Sequence, residues 1–544
     1  MKKETLPDTR FPDPESTLGG VKDSQSALGP FRVKVFRMLW FTWMAANTTM
    51  WMNDVASAWL MTSIAPSPLW VALVQSASTL PVFLLGLPSG ALADTLDRKR
   101  YFMATQFWVA AVAIILCVVV MMGGMTPPLL LALTFANGVG LAMRWPVFAA
   151  IIPEVVSRPL LPQALALNGI AMNASRIVGP LVAGALIAGF GAEYVFILNA
   201  ALSIFAGLTI MRWRRVHQES PLGREPLTRA MRVGVQYVLQ SRRMLGLLLR
   251  ISVFFLHSTA LMALLPLVAR ALPGGQAGTF TVLLAAMGAG AIVGSLTMPR
   301  IRNALPLQKR VLVGTAVQSG ATLVVAFAPN IYVAIPAMAF AGLSWITVAN
   351  SLTVAAQMAL PDWVRARGMA IYQMALMGST AAGAALWGWV ATSTTIHQAL
   401  AMSTVTGVAL MALVQRLMPD HGTEEDLTPS RMVAVPQLQA PPRPGRILVR
   451  IEYFIDPQRT EEFMAVMQES RRSRLRQGVL EWQLLHDLYD PARFVEQITD
   501  ASWTEHLRRF DRMSAADIQL RDRRLALHVG ESPPVVTRYL VEQE

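Results

Sequence analysis

The sequence has few charged residues and a single cysteine. Charged residues make up 15% of its 544 positions and hydrophobic residues 53%, whereas soluble domains are about 25% charged. Because Cys117 is alone, disulfides and cysteine-ligated metal sites within one chain are excluded. The glycine-rich loop with a Lys-Ser/Thr ending that cradles ATP phosphates is also missing, so we expect no ATP hydrolysis by this chain. The composition favours a membrane protein.

Apolar residues between positions 37 and 417 are grouped into blocks of roughly 20 residues, enough to cross about 30 Å of hydrocarbon as a helix. We predict an all-α polytopic membrane protein with twelve transmembrane helices in two six-helix halves. The predicted spans are 37–61, 69–93, 101–123, 128–150, 164–189, 194–211, 244–268, 279–299, 309–328, 331–353, 364–391 and 396–417. The chain then divides into a tail (1–30), a first half (31–211), a central loop (212–243), a second half (244–418), a linker (419–445) and a soluble domain (446–544).

Lysine and arginine are concentrated in alternate connections between these blocks. They lie at 98–100, 158, 212–243, 300–310 and 365–367. Since such cations are retained on the cytoplasmic side, we predict that both termini are cytoplasmic. The first 30 residues are polar and have no short apolar core, so we interpret them as a tail and not as a secretory signal.

The net charge of +13 does not indicate a nucleic-acid partner. Residues 446–544 contain 15 Lys and Arg and 17 Asp and Glu, a charge of −2, so the rest of the chain has +15. We attribute this excess to loop topology and to contact with anionic lipids of the bilayer.

The connection after the second block reads Gly90-Ala-Leu-Ala-Asp94-Thr-Leu-Asp97-Arg98-Lys99-Arg100. It resembles the signature loop of the major facilitator superfamily, G-x-L-a-D-r-x-G-r-[R/K], and departs from it at Thr95 and Asp97. The resemblance implies a conformational latch on the cytoplasmic side, in which Gly90 allows close helix approach and Asp94 pairs with cations and a helix N-terminus. The latch residues would be Gly90, Asp94, Asp97, Arg98, Lys99 and Arg100. The alternative is an ordinary solvated turn.

Two segments of the first half are repeated in the second. Pro153-Glu154 corresponds to Pro361-Asp362, and Gly179-Pro180-Leu-Val-Ala-Gly184 corresponds to Gly383-Ala-Ala-Leu-Trp-Gly388. Parallel repeats resemble the halves of this superfamily, which hold substrate between them near the midplane. Gly179, Pro180 and Gly184 also resemble an exporter-type helix motif, although Ser175 replaces its leading glycine; close helix packing alone is the alternative. Within the superfamily, the sequence most resembles the bacterial group that includes the enterobactin exporter and the transmembrane secretion effectors. The residues that resemble this group are Asp94…Asp97-Arg98, Leu167-Asn168, Asn173-Ala-Ser-Arg176-Ile-Val-Gly179-Pro180 and Asn199-Ala200.

Three ionisable residues lie inside predicted spans, where a charge costs at least a few kcal/mol. Asp54, Arg144 and Arg176 could form a buried ion pair with one cation left over for an anionic or polar substrate, and Asp54 is the candidate for proton coupling. A permanent structural salt bridge is the alternative. Asn173, Gln75 and Gln373 are further substrate-path candidates, or polar contacts between helices. The 14 tryptophans are interpreted mainly as packing residues or interfacial anchors.

The soluble segment alternates strand and helix patterns. Period-2 patterns at 447–454, 480–487, 494–498 and 535–540 and helical patterns near 463–470, 503–510 and 514–525 predict a C-terminal α+β ferredoxin-like domain. The Trp482 strand, the Asp490-Pro491 turn and the Trp503-Thr-Glu-His506 helix resemble antibiotic biosynthesis monooxygenases, which implies a domain that dimerises through its sheets. His486, His506 and His528 are acid/base candidates, but structural histidines are favoured.

Together these features predict a secondary active transporter, a proton-coupled exporter of a drug-like or siderophore-like small molecule in the bacterial inner membrane. The expected partners are the lipid bilayer, the substrate, protons and a second copy of the chain, with no cofactor or metal. One alternative is a transporter fused to a catalytically active cofactor-independent monooxygenase domain. Another is a membrane-anchored sensor without transport.

Overall fold

The computed structural model describes residues 28–65, 67–156, 160–212, 227–419, 425–430, 436 and 443–542. Long helices dominate this part of the chain, because each apolar block is long enough for a helix and most of the charged residues lie at its ends. Those in the first half are α1 (Lys34–Ile64), α2 (Pro68–Thr95), α3 (Arg98–Met121), α4 (Pro127–Val155), α5 (Leu161–Gly189) and α6 (Ala192–Arg212). After the short α7 (Leu227–Gln240) come α8 (Arg242–Ala271), α9 (Ala277–Ala304), α10 (Leu307–Ala326), α11 (Ile331–Met358), α12 (Asp362–Ser393) and α13 (Ile396–Leu417).

These helices have the lengths expected of membrane spans. Within the described residues, nine helices are long and apolar enough to cross a membrane, and every predicted span coincides with one of the helices just named. A mainly helical, polytopic fold is therefore confirmed. We call the ends joined by the connections after α1, α3, α5, α8, α10 and α12 the charge-poor face, and the opposite ends the basic face.

The two halves meet along two equivalent helix pairs. Helix α2 packs against α12, and α5 packs against α9; in each pair the second helix of one half meets the fifth helix of the other. This exchange is what two parallel repeats produce about an axis along the membrane normal. The largest buried apolar cluster includes residues of both halves, among them Ala72, Ala183, Leu264 and Ala384.

Hydrogen bonds connect the two halves near the charge-poor face. The Leu69 backbone N–H donates to Thr392 Oγ1 at 3.1 Å, and the Ser76 hydroxyl donates to the Ala381 carbonyl at 2.7 Å. Arg270, near the end of α8, donates to the Thr62 carbonyl of α1 and lies 5.5 Å from the Trp59 ring centre. The first and second halves are thus joined at this face through α1, α2, α8 and α12.

Helix α7 was not predicted, since 212–243 was assigned to a connection. It forms because Val233, Tyr237 and Val238 fall on one side of a helix and are buried. Gln236 Nε2 donates to the Val479 carbonyl of the C-terminal domain at 2.7 Å, and Tyr237 meets Trp363 of α12 edge to face at 5.7 Å. Helix α7 therefore lies between the membrane helices and the soluble domain.

The soluble domain is a four-stranded antiparallel sheet covered by helices on one face. Its elements are β1 (Arg446–Phe454), α14 (Thr460–Arg476), β2 (Glu481–His486), β3 (Arg493–Asp500), α15 (Trp503–Asp511), α16 (Ala515–Leu525) and β4 (Val535–Val541), with strand order β2-β3-β1-β4. Alternate residues of β1 are buried against the helices, as its period-2 pattern predicts. In the register, Ile451 faces Glu496 and Val449 faces Ile498.

Candidate functional site

Arg176 lies between two tryptophans that belong to different halves of the molecule. Its Cζ atom is 5.3 Å from the centre of the Trp51 ring in α1 and 4.5 Å from that of Trp345 in α11. Arg176 and Trp345 both lie close to the middle of their helices. Cation–π attraction stabilises a guanidinium in this position, so the contact places a positive charge between the halves at mid-depth.

Arg144 is a second buried cation of the first half. Its side chain is 2% exposed, and its Cζ atom lies 5.6 Å from the centre of the Trp43 ring, which stacks on Phe148 at 3.9 Å. Among the described residues, no hydrogen-bond acceptor reaches Nε of either Arg144 or Arg176. Aromatic faces therefore take the place that carboxylates occupy around most buried arginines.

Asp54 does not neutralise these arginines. In the described part of the chain, no carboxylate oxygen lies within 4.0 Å of either guanidinium, so the predicted ion pair is wrong. For Arg144 the reason is distance: Trp43, whose ring Arg144 contacts, is eleven residues from Asp54 along α1, or about 16 Å of helix rise. Asp54 is half-buried, and its hydrogen-bonding neighbour is the Ser78 side chain of α2.

The two glutamines predicted to line the substrate path, Gln75 and Gln373, do not contact each other. Ser76 of α2 contacts Ala381 of α12, whereas Gly86 of α2 faces Met374, whose Cγ would lie 3.0 Å from an added Cβ. Gln75 is next to the first of these contacts and Gln373 is next to the second. The two contacts are ten residues apart along α2, or about 15 Å. Gln373 Oε1 is buried without a hydrogen-bond partner in the structure described here, whereas the side chain of Asn173 lies outside the described residues.

Gly179 and Gly184 permit two different close contacts of α5. A Cβ on Gly179 would lie 2.6 Å from Trp51 Cβ and 3.0 Å from the Thr48 carbonyl oxygen, so this glycine brings α5 against α1 beside the Arg176 site. A Cβ on Gly184 would collide with the side chain of Thr281 in α9, which belongs to the other half. Pro180 is buried between them within α5. The motif thus positions Arg176 and joins the halves near the charge-poor face.

The latch segment is described only in part. The surroundings of Gly90 and the side chain of Asp94 are not described, although the backbone of both residues belongs to α2. Asp97, which replaces a glycine of the family motif, accepts a hydrogen bond from the Arg100 N–H at 2.8 Å and caps α3. Arg98 and Lys99 form the first turn of that helix. The role of these residues as a latch stays a prediction.

Tryptophans 43, 51 and 345 are the site residues that the sequence analysis missed, because it interpreted tryptophan mainly as packing or interfacial anchoring. Their positions along the predicted spans could have identified them. Each lies well inside its predicted span, whereas interfacial anchors lie at the ends.

A second polar cluster is enclosed in the soluble domain around Glu496, which is 0% exposed. This carboxylate accepts hydrogen bonds from Trp482 Nε1 at 2.9 Å, the Tyr453 hydroxyl at 3.0 Å and Arg474 Nε at 3.2 Å. Burial alone would raise the pKa of Glu496, but the guanidinium groups of Arg474 and Arg524 lower it to about 2. Glu496 is therefore a fixed anion beneath the helices.

His506 lies beside this cluster and faces a cavity. Its Nδ1 is 2.7 Å from Asp500 Oδ2, and its Nε2 accepts a hydrogen bond from Arg538 Nε at 3.1 Å. Burial lowers the pKa of His506 and the Arg509 charge lowers it further, although Asp500 opposes both effects. The pattern fits a neutral imidazole that donates from Nδ1 to Asp500.

The other two candidate histidines have structural partners. His528 Nδ1 accepts from the Phe454 N–H at 3.0 Å, and its Nε2 lies 2.9 Å from the Ser532 carbonyl. His486 stacks on Phe494 at 4.1 Å and contacts the Pro491 carbonyl. The favoured structural interpretation fits the geometry of both.

Comparison with known proteins relates the whole molecule to one family. Residues 25–544 match the family model described as transmembrane secretion effector, so the match includes the soluble domain. The staphyloferrin A transporter of Staphylococcus aureus is 22% identical over 46% of this chain, and macrolide efflux protein A of Streptococcus pyogenes is 22% identical over 52%. The chain spans 63% of the length of the first relative and 69% of the second.

Solved structures show the same fold at low sequence identity. The nucleoside transporter NupG superposes with a TM-score of 0.58 at 12% identity, covering 71% of this chain and 100% of its own. A bacterial homolog of the human lysosomal transporter Spinster, in an inward-facing conformation, has a TM-score of 0.57 at 13% identity and covers 72% of this chain and 96% of its own. At these identities the likeness concerns the fold of the helical part.

Proposed function

The chain belongs to the transmembrane secretion effector family of the major facilitator superfamily, and on this premise we propose that it exports a small amphipathic anion through a path between its two halves. The observation that carries the proposal is the position of Arg176, between Trp51 of the first half and Trp345 of the second. A substrate that binds there would contact both halves, as alternating access requires.

The charge of the substrate follows from the two buried arginines. Neither Arg144 nor Arg176 has a carboxylate within 4.0 Å among the described residues, and a lone charge at membrane depth is costly. A negatively charged group on the substrate would remove that cost during binding. The tryptophan rings beside both arginines would contact an apolar or aromatic body.

The relatives support the proposal that the chain exports a small molecule. One is named for transport of staphyloferrin A and another for macrolide efflux. We therefore place the substrate of this chain in the drug-like or siderophore-like class. Its arginines favour an acidic member of that class over a neutral or cationic one.

We assign proton coupling to Asp54. It is the described carboxylate in the middle of α1, one helical turn after Trp51, and its neighbour Ser78 is on a different helix. Asp54 has no guanidinium within 4.0 Å among the described residues, so it can gain and lose a proton without breaking a salt bridge that the structure describes. Protonation of Asp54 would then alternate with anion binding at Arg176.

For the membrane arrangement we propose twelve spans in the bacterial inner membrane, with the basic face and both termini in the cytoplasm. The asymmetry of Lys and Arg between the two faces supports this orientation. In such an arrangement the contacts around Ser76, Arg270 and Gly184 close the outer side.

For the soluble domain we propose a ferredoxin-like module that dimerises through the sheet face opposite its helices. The strand order β2-β3-β1-β4 supports the topology. Leu485, Val535 and Tyr539 are exposed on that outer face and could be covered by a second copy. Sedimentation of purified 444–544 tests this: a concentration-independent monomer contradicts it.

A second candidate function is oxidation of a substrate in the soluble domain. It is favoured by one observation, the Asp500–His506 pair at the edge of a cavity. However, the Nε2 atom of His506 that would take a proton already accepts a hydrogen bond from Arg538 Nε. Oxygen consumption with aromatic polycyclic compounds tests it, and turnover lost in His506→Ala would establish an enzyme.

The direct experiment for the main proposal uses inverted vesicles under an imposed pH gradient. We expect acidic amphipathic compounds to accumulate, and uncharged analogues of the same shape to accumulate much less. Arg176→Gln should abolish the preference. Arg300→Gln, an exposed arginine at the end of α9, is the matched control and should transport like the wild type.

A further inference from the structure

The soluble domain contains an apolar cavity of about 250 Å³. It lies between the helix-covered face of β1 and β4 and the helices α15 and α16. Its apolar lining comes from both layers and includes Val449, Ile451, Phe510, Met513, Leu525 and Val536. Such a space suits one small ligand with a hydrocarbon body.

Arginines surround this apolar space. Five of them line it: Arg474, Arg509, Arg521, Arg524 and Arg538. Carboxylates neutralise only some of this charge, because Glu496 is shared by Arg474 and Arg524, at 3.2 and 4.0 Å, while Asp500 pairs with Arg509 at 3.3 Å. Arg521 pairs with Asp522 at 3.1 Å.

The remaining cationic groups are available to a ligand. Arg538 has no carboxylate within 4.0 Å in the part of the chain that the structure describes; its Nε donates to neutral His506, which leaves the terminal nitrogens of the guanidinium unused. Nε of Arg509 and Nε of Arg524 are buried and have no acceptor among the described residues. Buried donors without acceptors are costly, so an anion here would satisfy them.

The cavity is also close to the membrane helices. Two of its lining residues, Phe510 and Met513, flank Arg512, whose Cζ atom lies 5.1 Å from the centre of the Trp363 ring. Trp363 is in the first turn of α12, and α12 forms the interface between the halves with α2. Arg512 is held rigidly, since it donates to Glu505 at 3.0 Å and to the Gln477 carbonyl at 2.8 Å.

We propose that this cavity binds a small amphipathic monoanion, and that its occupancy is transmitted through Arg512 and Trp363 to the basic end of α12, where it regulates the transport cycle. The binding site is independent of what the membrane helices do. The regulatory part rests on the proposed transport function.

Calorimetric titration of the purified full-length protein tests the binding site, with 2-naphthoate as the anionic probe and 2-naphthamide as its neutral match. The Arg176→Gln background removes the proposed membrane site. We expect one naphthoate per chain and at least about tenfold weaker binding of naphthamide, the worth of one charge-assisted hydrogen bond. Arg538→Gln should weaken naphthoate binding by a similar factor.

Arg523→Gln is the matched control for Arg538→Gln. Arg523 lies on α16 beside Arg524 but points away from the cavity, and its ion pair with Glu469 is on the surface, at 2.8 Å. It should bind naphthoate like the wild type. Equal binding of naphthoate and naphthamide, or equal affinity in Arg538→Gln and Arg523→Gln, would overturn the site. A thermal unfolding curve for each variant shows whether the fold is retained.

A fluorophore on α12 tests the regulatory part without any transport assay. Cys117 is the single native cysteine, so Asp362→Cys in a Cys117→Ser background gives one label next to Trp363. Naphthoate should change its emission with the same midpoint as in the titration, and Arg512→Gln should keep the binding but lose the change. Binding without any emission change in the parent protein would contradict the regulatory part and leave the transport proposal unaffected.

Discussion

The guanidinium of Arg176 in α5 rests 4.5 Å above the ring of Trp345 in α11, so a cation of the first half contacts an aromatic face of the second. The two halves of this fold move relative to each other during transport. A contact between them at mid-depth must therefore change in each cycle. An anionic substrate that binds Arg176 would weaken or strengthen the attraction between Arg176 and Trp345. Substrate binding would thereby be coupled to the relative movement of the two halves.

Arg144→Met should leave the protein folded but reduce transport of acidic compounds by at least about tenfold. Among the described residues, Arg144 has no carboxylate partner that the substitution would leave uncompensated, and replacing such a buried charge by an apolar side chain of similar length removes a desolvation cost. Thermal unfolding of the purified variant and uptake at matched expression are the two measurements. Loss of folding would show that Arg144 has a structural partner.

Asp54→Asn should still bind substrate and exchange it across the membrane but should no longer accumulate it in response to a pH gradient. Asparagine keeps the shape and hydrogen bonding toward Ser78 but cannot release a proton. Substrate exchange and gradient-driven uptake are compared in the same vesicles. Accumulation by the mutant against a gradient would place proton coupling elsewhere.

Asp94→Asn and Arg98→Ala should impair transport while membrane insertion is retained. In the family such charges bias the equilibrium between inward- and outward-facing states. Lys309→Gln is the control, because Lys309 is an exposed cation in the first turn of α10 on the same basic face and is not a latch residue. Transport at the wild-type rate in both Asp94→Asn and Arg98→Ala would remove the latch from the account.

The soluble domain should lose stability in acid through Glu496. Its pKa is about 2 in the folded domain against an ordinary value of 4.5, so the stabilisation is present above about pH 4.5 and is lost as the pH falls toward 2. Hydrogen exchange of the β3 amides in the full-length protein follows this loss. Glu496→Gln should be less stable at neutral pH, because two arginines lose their anion, and should show a shallower pH dependence. An unchanged slope would show that other groups cause the acid sensitivity.

The sequence predicts the helices well because each is a long apolar block, and it predicts the strands of the soluble domain because β1 alternates buried and exposed residues. It does not predict contacts between distant residues. Arg176 and Trp345 are 169 positions apart and meet only when the two halves pack, so the expected pair of Asp54 with an arginine was the simpler inference. Helix α7 was missed because it has 14 residues, fewer than the blocks of roughly 20 apolar residues by which the other long helices were recognised.

The most direct test of the account measures transport of a matched pair, a carboxylate and its neutral amide, by the wild type, Arg176→Gln and Arg300→Gln in inverted vesicles. We predict that the wild type and Arg300→Gln prefer the carboxylate, and that Arg176→Gln loses this preference while it remains folded. An unchanged preference for the carboxylate in Arg176→Gln would contradict the assignment of Arg176 as the anion-binding residue.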